Sequence, residues 1–147
     1  MQNFVQHYSR SITQRSEIGV PAGEGRISFV DAADVAKVAF HALSGKIREN
    51  SPIELSGPTA HSFEEAADLF TLLLKRKIHF RNVSEDQARV AMSGFGIPAW
   101  KIEALLELYE SYRRGDAATL SPAFQRIVGQ PPNSLDVFIM KHREEFK

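Results

Sequence analysis

Cysteine is absent from the 147 residues, so no disulfide framework, thiolate metal site or cysteine nucleophile is open to this chain. Net charge is absent as well. Eighteen lysines and arginines balance eighteen aspartates and glutamates, which excludes attachment to nucleic acid or anionic lipid by bulk charge. The same balance leaves little repulsion between copies and predicts modest solubility. No apolar run approaches the roughly 18 residues of a membrane helix. The opening residues 1–7 also lack the basic start and apolar stretch of a secretory signal. The expectation is a cytoplasmic protein, with no membrane and no nucleic acid among its partners.

What is present is 43% hydrophobic residues, ten of them phenylalanine, enough for one core in a single domain over residues 1–147. Phe4, Val5, Tyr8 and Ile12 fall at helical spacing and predict an amphipathic helix over 3–15. Three glycines and a proline within 19–25 then predict a break. Short β-branched and aromatic runs predict strands near 26–30, 53–56 and 78–83. Asp31 can cap a helix whose buried face is Val35, Val38, Ala39, Ala42 and Leu43, with Gly45 as its stop. Ser62 with Glu65, and Ser84 with Gln87, match capping boxes. The stripe behind the first box is Phe63, Ala66, Ala67, Phe70, Leu73 and Leu74. Pro98 opens a helix whose apolar face reads as Trp100, Ala104, Leu105, Leu108, Tyr109 and Tyr112, and two short helices follow from Ser121 and Ser134. The fold class is α/β or α+β, dominated by helix, with a small parallel sheet.

The chemistry legible in the chain is mostly negative. Gly23 and Gly25 precede the expected strand, and Ser28 holds the third position of what would be a dinucleotide fingerprint. That fingerprint needs its glycines after a strand and at a helix start, so these residues read as a turn. His7, His41, His61, His79 and His142 show no metal-ligand spacing, and no nucleophile elbow occurs. Tyr109 and Arg113 differ by one residue type from the tyrosine–lysine pair of short-chain dehydrogenases, and Tyr109 reads as a packing residue. Lys75, Arg76 and Lys77, with Arg81 beyond, sit where cations oppose a helix dipole. Asp31 and Asp34 read as first-turn capping carboxylates. Phe95 lies between two glycines before an aromatic helix. With Phe4 and Trp100 it either lines a pocket for a flat apolar ligand or fills the core.

The order of the pieces says more than any one motif. Asn3-Phe4 comes first, then Pro21-Ala-Gly23-x-Gly25, then Val30-Asp31-x-x-Asp34-Val35-Ala36. Ile53-Glu-Leu-Ser-Gly57-Pro58, Phe63-Glu-Glu-Ala66-Ala67 and Gly96-Ile-Pro98-x-Trp100 follow, and Arg114-Gly115 and Gly129-Gln-Pro131-Pro132 close the series. Together they resemble the second half of NmrA-like atypical short-chain dehydrogenases, a family that includes NAD(P)H-dependent quinone and azo-dye reductases. The resemblance implies the C-terminal, substrate-side half of a Rossmann-type protein, without the dinucleotide-binding portion.

On that footing NAD(P)H is the implied cofactor, but none is expected on this chain alone. Phe4, Tyr8, Phe95 and Trp100 become candidate substrate-binding residues by position. No catalytic residue and no metal ligand is expected, because hydride transfer belongs to the cofactor. Strand 53–56 would stand as an open edge, so a homodimer or higher oligomer is expected through it or through helix 3–15. A separate cofactor-binding half is the other expected partner. The alternative function is a non-enzymatic regulatory or protein-binding module.

Overall fold

The computed structural model describes residues 1–47 and 50–147. The chain opens with a π-helical turn, Phe4–Tyr8, that runs into helix α1, Ser9–Arg15. Ser16, in the left-handed conformation at φ 54°, ends that helix and turns the chain into strand β1, Glu17–Val20. Sequence periodicity places a break here. The structure instead forms a strand, because Ile18 and Val20 point inward and are buried while Gly19 faces out. Its partner is β2, His79–Asn82, in parallel, with Ile18 opposite Phe80. This agrees with the strand expected near 78–83.

The other two expected strands do not form. Segment 26–30 contributes a single antiparallel bridge, Ile27 to His61. Segment 53–56 contains no strand, and its recorded backbone ties run through serines. The Ser121 hydroxyl donates to the Glu54 carbonyl at 2.7 Å, and the Ser121 N–H to Ser56 Oγ at 2.8 Å. A β ladder requires a neighbouring strand to accept and donate in register. Among the described residues 53–56 has none.

Among the described residues, six α-helices and a closing 3-10 turn follow β1. Helix α2, Ala32–Leu43, is capped by Asp31, whose side chain accepts from the Ala33 N–H. Helix α3, Phe63–Leu74, begins with the Ser62–Glu65 capping box complete in both directions, a device worth about 1 kcal/mol. Helix α4, Glu85–Gly94, begins with the equally complete Ser84–Gln87 box. Then come α5, Ala99–Arg114, α6, Ala123–Val128, α7, Leu135–Lys141, and a closing 3-10 turn, Arg143–Phe146.

The main core lies between α3, α7, the N-terminal helical segment and the inner face of the two strands. Ile12, Ile18, Phe63, Phe70, Ile78, Phe138, Ile139 and Phe146 meet there. A smaller cluster, Ala88, Ile102 and Leu106, joins α4 to α5. Two loops press so closely on neighbours that only glycine fits. A Cβ on Gly25 would fall 2.3 Å from the Tyr112 carbonyl oxygen, and one on Gly57 2.0 Å from that of Phe29.

Two helical faces differ from the sequence pattern. In α5 the buried seam runs through Ile102, Leu105, Leu106, Tyr109 and Tyr112, leaving Trp100, Ala104 and Leu108 on the open side. In α2 only Asp34 and Val38 are buried. Val35, Ala39, Ala42 and Leu43, expected inside, face out beside Phe40. The helix is amphipathic as its sequence says, but of the expected inner stripe only Val38 is covered among the described residues. No helix among the described residues is long and apolar enough to cross a membrane.

Candidate functional site

The turn Phe4–Tyr8 delivers two of the four sequence-selected aromatics to one place. Phe4 is 1% exposed, with the rings of Phe29 and Phe70 at 5.2 and 5.3 Å and those of Tyr8 and Phe63 slightly beyond. Phe63 extends the group by stacking on Phe80. Such tilted and edge-on pairs add to the energy of burial itself. Truncating Phe4 would cost about 3–5 kcal/mol, so a ligand reaches this ring only if its neighbours part.

Tyr8 lies at the rim of the cluster and is half-buried. Its hydroxyl meets that of Tyr109 on α5 at 2.9 Å, and Tyr112 packs edge-on against Tyr109. Burial, reinforced by the neighbouring Tyr109, pushes the Tyr8 phenol well above its ordinary range. Burial also raises Tyr109 and Tyr112. Phenols raised in this way stay protonated near neutrality. The pair can therefore offer a hydrogen bond to a ligand oxygen but cannot serve as a general base.

Phe95 and Trp100 go elsewhere. Both sit at the corner between α4 and α5, 68% and 74% exposed, where Gly96 turns the chain at φ 75°. Neither joins an apolar cluster. The structure thus brings Phe4 and Tyr8 together and sets Phe95 and Trp100 apart on an open corner.

A polar clasp that the sequence reading does not contain ties three distant segments. Asp31 accepts from the Gln2 amide at 2.7 Å and the Asn133 amide at 2.9 Å, besides the Ala33 N–H. Asp34, fully buried, accepts from the Asn133 N–H at 2.6 Å and from Lys37 at 3.0 Å. Burial alone would raise the Asp31 carboxyl, but its hydrogen bonds to Ala33, Gln2 and Asn133, with Lys141 nearby, hold it below the usual carboxylate range. Spacing alone makes both aspartates caps. Asp34 in fact clasps the loop before α7, and only the tertiary partner Asn133 reveals that.

Two surface hollows stand out among the described residues. One of about 440 Å³ lies between α2 and α6, lined by Ala33, Ala36, Lys37, Phe40, His41 and Val128. The other, of about 230 Å³, lies at the end of α3. Neither is lined by the four aromatic candidates. Among the described residues no three His, Asp or Glu side chains converge to hold a metal ion.

The glycine loop at 23–25 does not form a dinucleotide cradle. The Gly25 backbone is pressed on Tyr112, and no helix starts at that loop. The next helix, α2, has its N-terminal N–H groups answered by the Asp31 carboxylate and the Gln2 amide oxygen. A pyrophosphate needs free N–H groups at a helix start, and here a carboxylate already holds the place.

No protein-family model matches the chain. Known proteins do. NAD(P)H azoreductase of Xenophilus azovorans is 31% identical over 146 residues, covering 99% of this chain and 51% of that protein. The uncharacterized oxidoreductase YesF of Bacillus subtilis is 30% identical over 143 residues, covering 97% of this chain and 50% of its own length. In fold, an NADPH-dependent quinone oxidoreductase of Escherichia coli superposes with a TM-score of 0.85 at 21% identity, over 97% of this chain and 51% of that one. A triphenylmethane reductase of Citrobacter sp., solved with NADP(H), gives 0.82 at 23% identity, over 97% and 49%. The chain spans about half the length of the relatives it matches. It is therefore kin to the NAD(P)H-dependent oxidoreductases to which the NmrA-like resemblance points, and it corresponds to one half of such a protein.

Proposed function

We propose that this chain is the substrate-side part of an NAD(P)-dependent oxidoreductase acting on a flat, quinone-like or azo-aromatic compound, and that it turns over only with a dinucleotide-binding part beside it. The observation that carries the reading is the likeness to NAD(P)H azoreductase along the whole of this chain but half of that protein. Two structural features support it. The glycine loop offers no pyrophosphate cradle, and α2 holds an apolar face, Val35, Ala39, Phe40 and Leu43, open to a partner. Phe95 and Trp100 supply an exposed aromatic corner for the substrate, apart from Tyr8, which Phe4 backs from within. A cytoplasmic location, where NAD(P)H is plentiful, belongs to the same reading.

Where that partner is lacking, copies of the chain cover one another, and a homo-oligomer is part of the proposal. Its interface moves from 3–15 and 53–56 toward α2. Phe4 and Ile12 are buried in the one segment, and the other is not a strand.

Fusion of the chain to the half of the X. azovorans azoreductase that it does not match tests the reading. The fusion is expected to oxidise NADPH with a quinone or an azo dye, and the isolated chain is expected neither to bind NADPH at micromolar levels nor to turn over. Turnover by the isolated chain would overturn the proposal, as would a folded, NADPH-binding fusion that reduces neither class of substrate.

A further inference from the structure

Helix α3 ends at Leu74 because Lys75 adopts the left-handed conformation, φ 55°. Arg76, which follows that turn, lies against the end of α1. Its guanidinium donates to the carbonyl oxygens of Ile12 and Thr13 at 3.1 Å and of Phe146 at 2.9 Å. All three acceptors are neutral, so the cation is fixed in place without a carboxylate against it. A helix dipole accounts for Arg76, since its guanidinium faces the carbonyl end of α1.

Arg143 has no such account. It opens the closing 3-10 turn, and its Nε is the buried side-chain polar atom without a hydrogen-bond partner among the described residues. Arg76, Arg143 and Lys147 line the hollow of about 230 Å³, and Leu74 and Phe146 form its other walls. Three of the five lining side chains are cationic and none is anionic. Glu144 pairs with Lys147 and stands largely in solvent.

We propose that this hollow is a binding site for an organic oxyanion, a carboxylate or a phosphate monoester. A guanidinium presents paired outer N–H groups that match the oxygens of either ion, and Arg143, whose Nε has no acceptor among the described residues, lines the hollow. Arg76 is already held by three hydrogen bonds, so little ordering cost remains for it on binding. Phe146, fully buried and packed edge-on against Phe70 at 4.9 Å, keeps the turn that carries Arg143 in register with α3. Leu74, half-buried beside the cations, favours an anion attached to a carbon skeleton. The site shares no residue with the aromatic cluster's candidates or with α2, so it stands or falls apart from the oxidoreductase reading.

Titration of the intact chain with phenyl phosphate, and separately with benzoate, while proton–nitrogen NMR follows the Arg143 Nε–H, tests the proposal and distinguishes the two anions. A saturable shift of that resonance is expected with at least one of them. Arg143→Gln removes no hydrogen bond seen in the structure and is expected to melt with the parent, yet to bind roughly tenfold more weakly. A response no larger than sodium chloride gives at equal ionic strength would overturn the proposal. So would an Arg143→Gln chain that binds as tightly as the parent.

Discussion

At the scale of single residues, Asp31 does the most with the least. One carboxylate caps α2, receives the Gln2 amide near the N-terminus and receives Asn133 before α7. Asparagine in its place could still cap, but its amide nitrogen would confront another donor. Asp31→Asn is therefore expected to lower stability by about 2 kcal/mol near neutral pH, the scale of hydrogen bonds to a charged group. The folded carboxyl lies below its ordinary range. Its contribution is thus complete above the unfolded value of about 3.9 and is lost as pH falls through the lower folded value. Urea unfolding of both proteins should show the gap near neutrality and its closure in strong acid. A gap that persists unchanged in acid would mean that the ionised carboxylate is not its source.

Among the elements, α2 stands apart, because its stability and its apolar face are served by different partners. Asp34 and Val38 hold it to the body of the protein, while Phe40 and Leu43, 64% and 90% exposed, hold it to nothing described. Exposed side chains of this kind change folding stability little when replaced. They matter when a large apolar patch associates. The double substitution of Phe40 and Leu43 by serine is expected to leave the melting transition within about 0.5 kcal/mol of the parent. Sedimentation at high concentration should show the parent self-associating and the double variant remaining monomeric. Equal behaviour of the two would remove α2 from the interface.

For the molecule as a whole, the three tyrosines report on global integrity. Tyr8, Tyr109 and Tyr112 all have phenols raised above the ordinary value, burial being the first cause in each. A raised folded value stabilises the protein up to the unfolded value of about 10 and loses that contribution as pH climbs further. Tyrosinate absorbance should therefore appear together with the loss of helical circular dichroism, not before it. Stepwise ionisation ahead of unfolding would show that the cluster opens locally.

Much of this protein is set by local sequence, and the reasons are local too. The two capping boxes, the left-handed stops at Gly45, Gly115 and Gly129 and the α3 stripe each depend on residues within a turn or two of one another. The kinship with NAD(P)H-dependent reductases was legible in the same way, from short motifs in a fixed order. What local pattern could not supply was the identity of the neighbour. β1 lay hidden because Gly19 and Pro21 signal a turn until β2 runs beside it. Segment 53–56 has strand composition but no ladder to join. Phe4 reads equally as a pocket wall or as core until four rings close around it. The α2 face expected inside is exposed except at Val38, and Asp34 meets Asn133 from 99 residues away. A sequence fixes which face of an element is apolar through the period of that element. Which surface covers the face is decided by long-range packing, and that is where the tertiary structure had the final word.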